Sequence, residues 1–189
     1  RIDILINNAG ISMRSMFQEL DLEVMKKLMD TNFWGCVYCT KYALPHIIES
    51  KGSIVGVSSI AGYLGLPART GYSSSKYAMH GFLNSLRIEN LHQPIHIMIA
   101  CPSFTATNIR KTALNSKGIP QGESPREESS MMSAEKVAKI IFKAIKRRKR
   151  TVIISLTGKL SIFLNKIMPE LVDKITFQAM KNEKNSPLK

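Results

Sequence analysis

Apolar and polar positions along the chain switch between two periods, one of two residues and one of about 3.6, and the alternation repeats. Asp3 to Ile6 is a short apolar run ended by Asn7-Asn8-Ala9-Gly10, a turn signal. Residues 21 to about 31 and 33–49 have helical spacing, with Asp21 placed as N-cap and Glu23 and Lys26 on the wet side. Ser53 to Ser58 is a second strand, apolar through its middle as buried parallel strands are. Tyr72 to about Leu91 is a long helix and Ile95 to Ala100 a third strand. Ser133 caps a helix running to about Lys146, and Thr151 to Ser155 is a fourth strand. Strands separated by helices predict an α/β domain, a parallel sheet covered on both faces.

Two stretches stand outside this rhythm. Residues 113–130 are polar and rich in Pro, Gly, Ser and charge, which predicts a lid, a binding loop or disorder. Residues 158–182 read as one or two amphipathic helices interrupted at Pro169, the body of a helical extension over 158–189. At 189 residues the chain supports a single domain, 1–189. No run of 18 uncharged apolar residues predicts a membrane span, and the first residues lack the pattern of a signal peptide. The chain opens on Arg1, not Met, inside what reads as a buried strand, so we expect a fragment of a cytoplasmic protein. Cys36, Cys39 and Cys101 suit a reducing compartment; Cys36 and Cys39 form a C-x-x-C whose expected role is packing, with a redox pair as the alternative.

The net charge of +13 is uneven: residues 1–110 carry +3 and residues 111–189 carry +10. Such a region can attract nucleic acid, anionic lipid or a phosphorylated ligand, but a solvated face is the plainer expectation. Lys146 to Arg150 is the densest basic run and contains no aromatic residue for stacking, which argues against nucleic acid. The tail mixes Leu160, Ile162, Phe163, Leu164, Ile167 and others with Lys159, Lys166 and Lys174. That pattern suits packing against a partner subunit or substrate, or a peripheral membrane contact.

Tyr72 and Lys76, four apart on a helix, share one face. An adjacent ammonium lowers a tyrosine pKa, which would make Tyr72 a general acid or base near neutral pH. Ser59, thirteen residues earlier, follows a buried strand; in a parallel sheet, strand ends and the next helix starts share one edge, where ligands bind. Ser59 can then donate to a substrate carbonyl oxygen while Tyr72 supplies the proton. Asn7 to Gly10, Asn32 at a helix break, and Pro102 to Thr107 fall at the same edge.

Together these residues resemble the short-chain dehydrogenase/reductase family. Its N-N-A-G, N-x-x-G, S-x12-Y-x3-K and P-G-x-x-x-T motifs all have counterparts here, in the family's order, over residues 3–107. The resemblance implies a Rossmann-type doubly wound parallel sheet missing its first strands, an NAD or NADP cofactor, a small-molecule carbonyl or alcohol substrate and a homo-oligomer. It implies Tyr72 as acid/base, Ser59 as orienting group, Lys76 on the nicotinamide ribose and Asn32 in a proton relay through water. Asn7, Ala9 and Gly10 would line the cofactor near its adenine-side ribose. Pro102, Ser103, Thr105 and Thr107 would contact it at the other end, Thr107 at the carboxamide. Two departures stand out. Ser103 replaces the family's glycine, and the glycine-rich phosphate loop T-G-x-x-x-G-x-G has no counterpart. The expected activity is hydride transfer to or from a fairly apolar ketone or secondary alcohol. A non-catalytic binding or scaffold protein on the same fold, and a peripheral membrane protein acting through its tail, are the rival readings.

Overall fold

Period-two alternation decides what lies on each side of the sheet. The computed structural model describes residues 1–102, 104–129 and 131–188. Strands β1 (Ile4–Asn7), β2 (Ser53–Val57), β3 (His96–Cys101) and β6 (Thr151–Ile153) form one sheet in the order β1-β2-β3-β6, all pairs parallel. On one face Ile54, Ile97, Ile99 and Cys101 pack against helices α2 (Gly35–Glu49) and α3 (Thr70–Glu89), through Ala43, Ile47, Met79 and Leu83. On the other, Val55, Met98 and Ala100 pack against α4 (Ala134–Lys146), through Val137, Ile141 and Ile145. Helices on both faces make the sheet doubly wound, as the alternation of periods predicts, and the sheet is small.

Close approach between β2 and α3 depends on Gly56. A Cβ there would stand 2.3 Å from Leu83 Cδ1 and 3.3 Å from Met79 Sδ, so a side chain would force the α3 residues packed on the sheet to shift. At the other end of the sheet, β1 is an edge strand with Ile4 and Ile6 exposed.

Helix α1 (Leu22–Met29) starts at Asp21, whose side chain accepts from Glu23 N, and it runs through a single π turn, Asp30–Trp34, into α2. The helix break expected near Asn32 is that π turn. Two further strands of two residues each, β4 (Thr105–Ala106) and β5 (Met132–Ser133), pair in parallel. Ser133 also caps α4 by accepting from Lys136 N.

Part of the stretch expected to be a lid is built into the fold. Ala113 and Leu114 are buried, and Leu114 joins Met13, Leu20, Val24 and Leu28 in a third apolar cluster. Arg14 N donates to Leu114 O and Leu114 N to Ser12 O. Residue 130, the end of that stretch, and residue 189 lie outside the described residues. The tail is two helices, α5 (Leu156–Ile167) and α6 (Pro169–Lys181), divided just before Pro169. Ile162, Val172 and Met180 are buried, whereas Leu156, Leu160, Phe163 and Ile167 stand exposed along α5. Among the described residues no helix is long and apolar enough to cross a membrane.

Candidate active site

Because the strands are parallel and in register, Asn7 beside Gly56 and Val57 beside Ala100, the loops after β1, β2 and β3 leave the sheet at one edge. A cavity of about 780 Å³ opens there. Gly10, Ser59, Tyr72, Lys76, Pro102, Thr105 and Thr107 line it, together with Asn8 and Ser58. Asn7, Ala9 and Asn32 do not. Ser103 lies outside the described residues.

Tyr72 enters the cavity from the first turn of α3. Ala68, held in the left-handed region at φ 59°, turns the chain into that helix. The Ser59 hydroxyl lies beside the Tyr72 phenol, where it favours the ionised form, and it accepts from Ala61 N at 3.2 Å, capping the short turn Ile60–Gly62. Burial pushes the Tyr72 pKa up; Ser59 and Arg69 pull against it without prevailing. The sequence led us to expect the opposite direction, from Lys76. Burial of the phenol sets the direction instead. The Lys76 ammonium lies over the ring, 5.7 Å from its centroid, and donates to Val57 O at 2.9 Å. Burial acts on Lys76 as well: it is 3% exposed, and its pKa falls to about 8.

Asn32 is fully buried in the π turn. Its Oδ1 accepts from Ile11 N at 2.8 Å, while its Nδ2 donates to Ile11 O and to Ser75 Oγ, each at 2.9 Å. Ser75 Oγ in turn donates to Tyr72 O at 2.8 Å. Asn32 thus ties the loop after β1 to the turn that carries Tyr72. Gly10 makes the adjoining cradle: a Cβ there would stand 3.2 Å from Asn32 Oδ1 and 3.5 Å from Lys76 Nζ, intruding on the space beside the ammonium. The Asn7 side chain turns away from the cavity and donates to Thr40 Oγ1 at 3.1 Å.

Other residues of the site escape notice in the sequence. His80 continues the face of Tyr72 and Lys76 one turn further, and its Nε2 hydrogen-bonds Ser58 Oγ at 2.6 Å, both buried. Burial, assisted by the Lys76 charge, lowers the His80 pKa to about 4, so the ring is neutral. The repeat of four from Tyr72 is the signal that would have found it. Ser75 shares a turn with Tyr72, but nothing in its spacing marks it. The C-x-x-C divides between a buried Cys36, whose thiol burial raises to about 11, and an exposed Cys39. A thiol held protonated is a packing group.

The family model described as short chain dehydrogenase matches residues 1–118. This chain belongs to the short-chain dehydrogenase/reductase family. It is 33% identical to dehydrogenase/reductase SDR family member 7B of Rattus norvegicus over 187 residues, covering 98% of the chain and 58% of that relative. It is 35% identical to dehydrogenase/reductase SDR family protein 7-like of Dictyostelium discoideum over 178 residues, covering 93% of the chain and 55% of that relative. The chain therefore spans a little over half the length of these curated relatives. Among solved structures, a short-chain dehydrogenase from Streptomyces avermitilis matches with a TM-score of 0.76 at 23% identity, over 96% of this chain and 72% of that one. A short chain dehydrogenase/reductase from Burkholderia phymatum in complex with NAD matches with a TM-score of 0.77 at 20% identity, over 90% of this chain and 67% of that one. These likenesses show the Rossmann-type fold.

Proposed function

We propose that this chain carries the catalytic half of an NAD(P)-dependent oxidoreductase acting on a carbonyl or secondary alcohol of a fairly apolar substrate. The observation that carries the reading is the meeting of Ser59, Tyr72 and Lys76 in one cavity, from a strand end and a helix start. A buried ammonium beside a phenol and a hydroxyl in one cavity favours proton-transfer chemistry over a scaffold role.

The residues present fit the nicotinamide-ribose end of the cofactor. Lys76 offers a buried ammonium, Gly10 leaves the space beside it free, and Asn8, Ser58 and Thr107 supply polar wall. Bound there, the cofactor supplies or takes the hydride. Tyr72, protonated at neutral pH because burial raises its pKa, gives its proton to the oxygen of a carbonyl being reduced. Ser59 donates to the same oxygen and holds it near the phenol. Lys76 holds the ribose hydroxyls and stabilises the phenolate left behind. Asn32 keeps Tyr72 in register through Ser75 and has a lone pair of Oδ1 left for a relay water. Thr105 and Thr107 contact the carboxamide side of the ring. Asn7 and Ala9 act from the loop's backbone at the adenine side.

We assign the exposed stripe of Leu156, Leu160, Phe163 and Ile167 on α5 to a partner subunit. The catalytic reading is tested by ketone-dependent oxidation of NADH or NADPH by the intact protein. A panel of apolar ketones that elicits none would contradict it.

A further inference from the structure

In the wall of the cavity that holds Tyr72 and Lys76, three arginines from three stretches of chain converge on one carboxylate. Glu183, just past the end of α6, is almost wholly buried, with 4% of its side chain exposed. Its Oε2 accepts from Arg69 Nη2 at 2.9 Å and lies 3.6 Å from Arg14 Nε; its Oε1 accepts from Arg126 Nε at 2.8 Å. Arg14 belongs to the loop after β1, Arg69 is the residue before α3, and Arg126 sits in the long loop before β5. The tail is gripped from its backbone too, since Arg14 Nη2 donates to Lys184 O at 2.6 Å. Asn185 Nδ2 donates to Glu123 Oε1 at 2.7 Å. All three arginines and Glu183 line the cavity that holds Tyr72.

The charge count gives this arrangement its meaning. Three guanidiniums in a partly desolvated wall repel one another, and the Glu183 carboxylate is the group that draws them together. Arg69 lies three residues before Tyr72, so what fixes Arg69 also fixes the start of the helix that presents the phenol. We propose that Glu183 is a positioning residue: it clasps the tail over the cavity and sets the pocket wall next to Tyr72. The clasp itself stands on geometry; its effect on substrate rests on the oxidoreductase reading above.

The test has two arms on the intact protein. In the first, hydrogen exchange is followed over residues 180–188 in the wild type, in Glu183→Gln and in Arg126→Gln, the last removing the most exposed of the three arginines. The wild-type segment is expected to be protected, and both variants to lose that protection while α3 and β3 keep theirs. A wild-type segment that exchanges like free chain would overturn the clasp, whatever the enzyme turns over. In the second arm, Glu183→Gln is expected to raise the substrate KM roughly tenfold, because the clasp shapes the pocket wall and does not bind substrate directly, with kcat and cofactor KM little changed. Glu183→Asp, which keeps the charge, should fall between the two. An unchanged substrate KM, or an equal rise in both KM values, would overturn the positioning role. Absence of any turnover would strike the oxidoreductase reading and leave the exchange arm to decide the clasp.

Discussion

The Lys76 ammonium lies 5.7 Å from the centre of the Tyr72 ring and donates to the Val57 carbonyl at 2.9 Å, buried and without an ion-pair partner among the described residues. On the oxidoreductase reading proposed above, the lysine serves less to acidify the phenol than to hold a positive charge ready for the ribose and the phenolate.

That charge sets a pH dependence. Burial brings the Lys76 pKa down to about 8 from 10.5, so in the free protein the ammonium is lost as pH rises through about 8. Cofactor affinity is expected to weaken above that pH, approaching about tenfold per unit well beyond it, because the bound form needs the proton. Fluorescence titration of NADH or NADPH from pH 6 to pH 10 checks this (a range of about four units that brackets the shift). Affinity flat across that range would contradict it.

The Ser58–His80 pair makes a separate prediction for stability. The folded His80 pKa is about 4 against an ordinary 6.5, so between those values the unfolded chain takes up a proton that the folded chain refuses. Folding stability from this residue is full above pH 6.5 and declines as pH falls toward about 4. His80→Ala removes that slope and leaves the buried Ser58 hydroxyl without its partner, at a cost of about 1–3 kcal/mol. Denaturant titrations of both proteins at several pH values would show it; the same acid slope in both would refute the assignment.

Gly56→Ala tests how the helix carrying Tyr72 is seated. The added methyl would meet Leu83 at 2.3 Å, so stability should fall by about 1–3 kcal/mol, as for overpacked cores. A variant as stable as the wild type would mean that α3 can shift freely on β2.

Oligomeric state tests the exposed stripe on α5. The intact protein is expected to sediment as more than a monomer and to stay soluble in flotation with anionic vesicles; Phe163→Asp should weaken the assembly. Recovery of the wild type with the vesicles would reassign that face to lipid.

Strands β2 and β3 were legible in the sequence because burial on both sheet faces imposes unbroken apolar runs, and α3 because Tyr72, Lys76 and Ser59 keep a fixed order around one sheet edge. The direction of the Tyr72 pKa was not legible: helical spacing gives the distance to Lys76 but not the burial of the phenol that sets the direction. The two-residue strands β4 and β5 are too short to carry a period. Glu183 stands 114 residues from Arg69, and such a pairing leaves no local trace in a charged tail. Asn32 was singled out, yet its ties to Ile11 and Ser75 depend on a π turn that no local pattern announces.

The central claim is that the Tyr72 phenol passes the proton, and Tyr72→Phe in the intact protein tests it most directly. Phenylalanine keeps the ring beneath Lys76 and removes only the hydroxyl that meets Ser59. The variant is expected to bind NADH or NADPH as the wild type does while its ketone reduction falls by about 10²–10⁴-fold. Near-normal turnover by that variant would contradict the account.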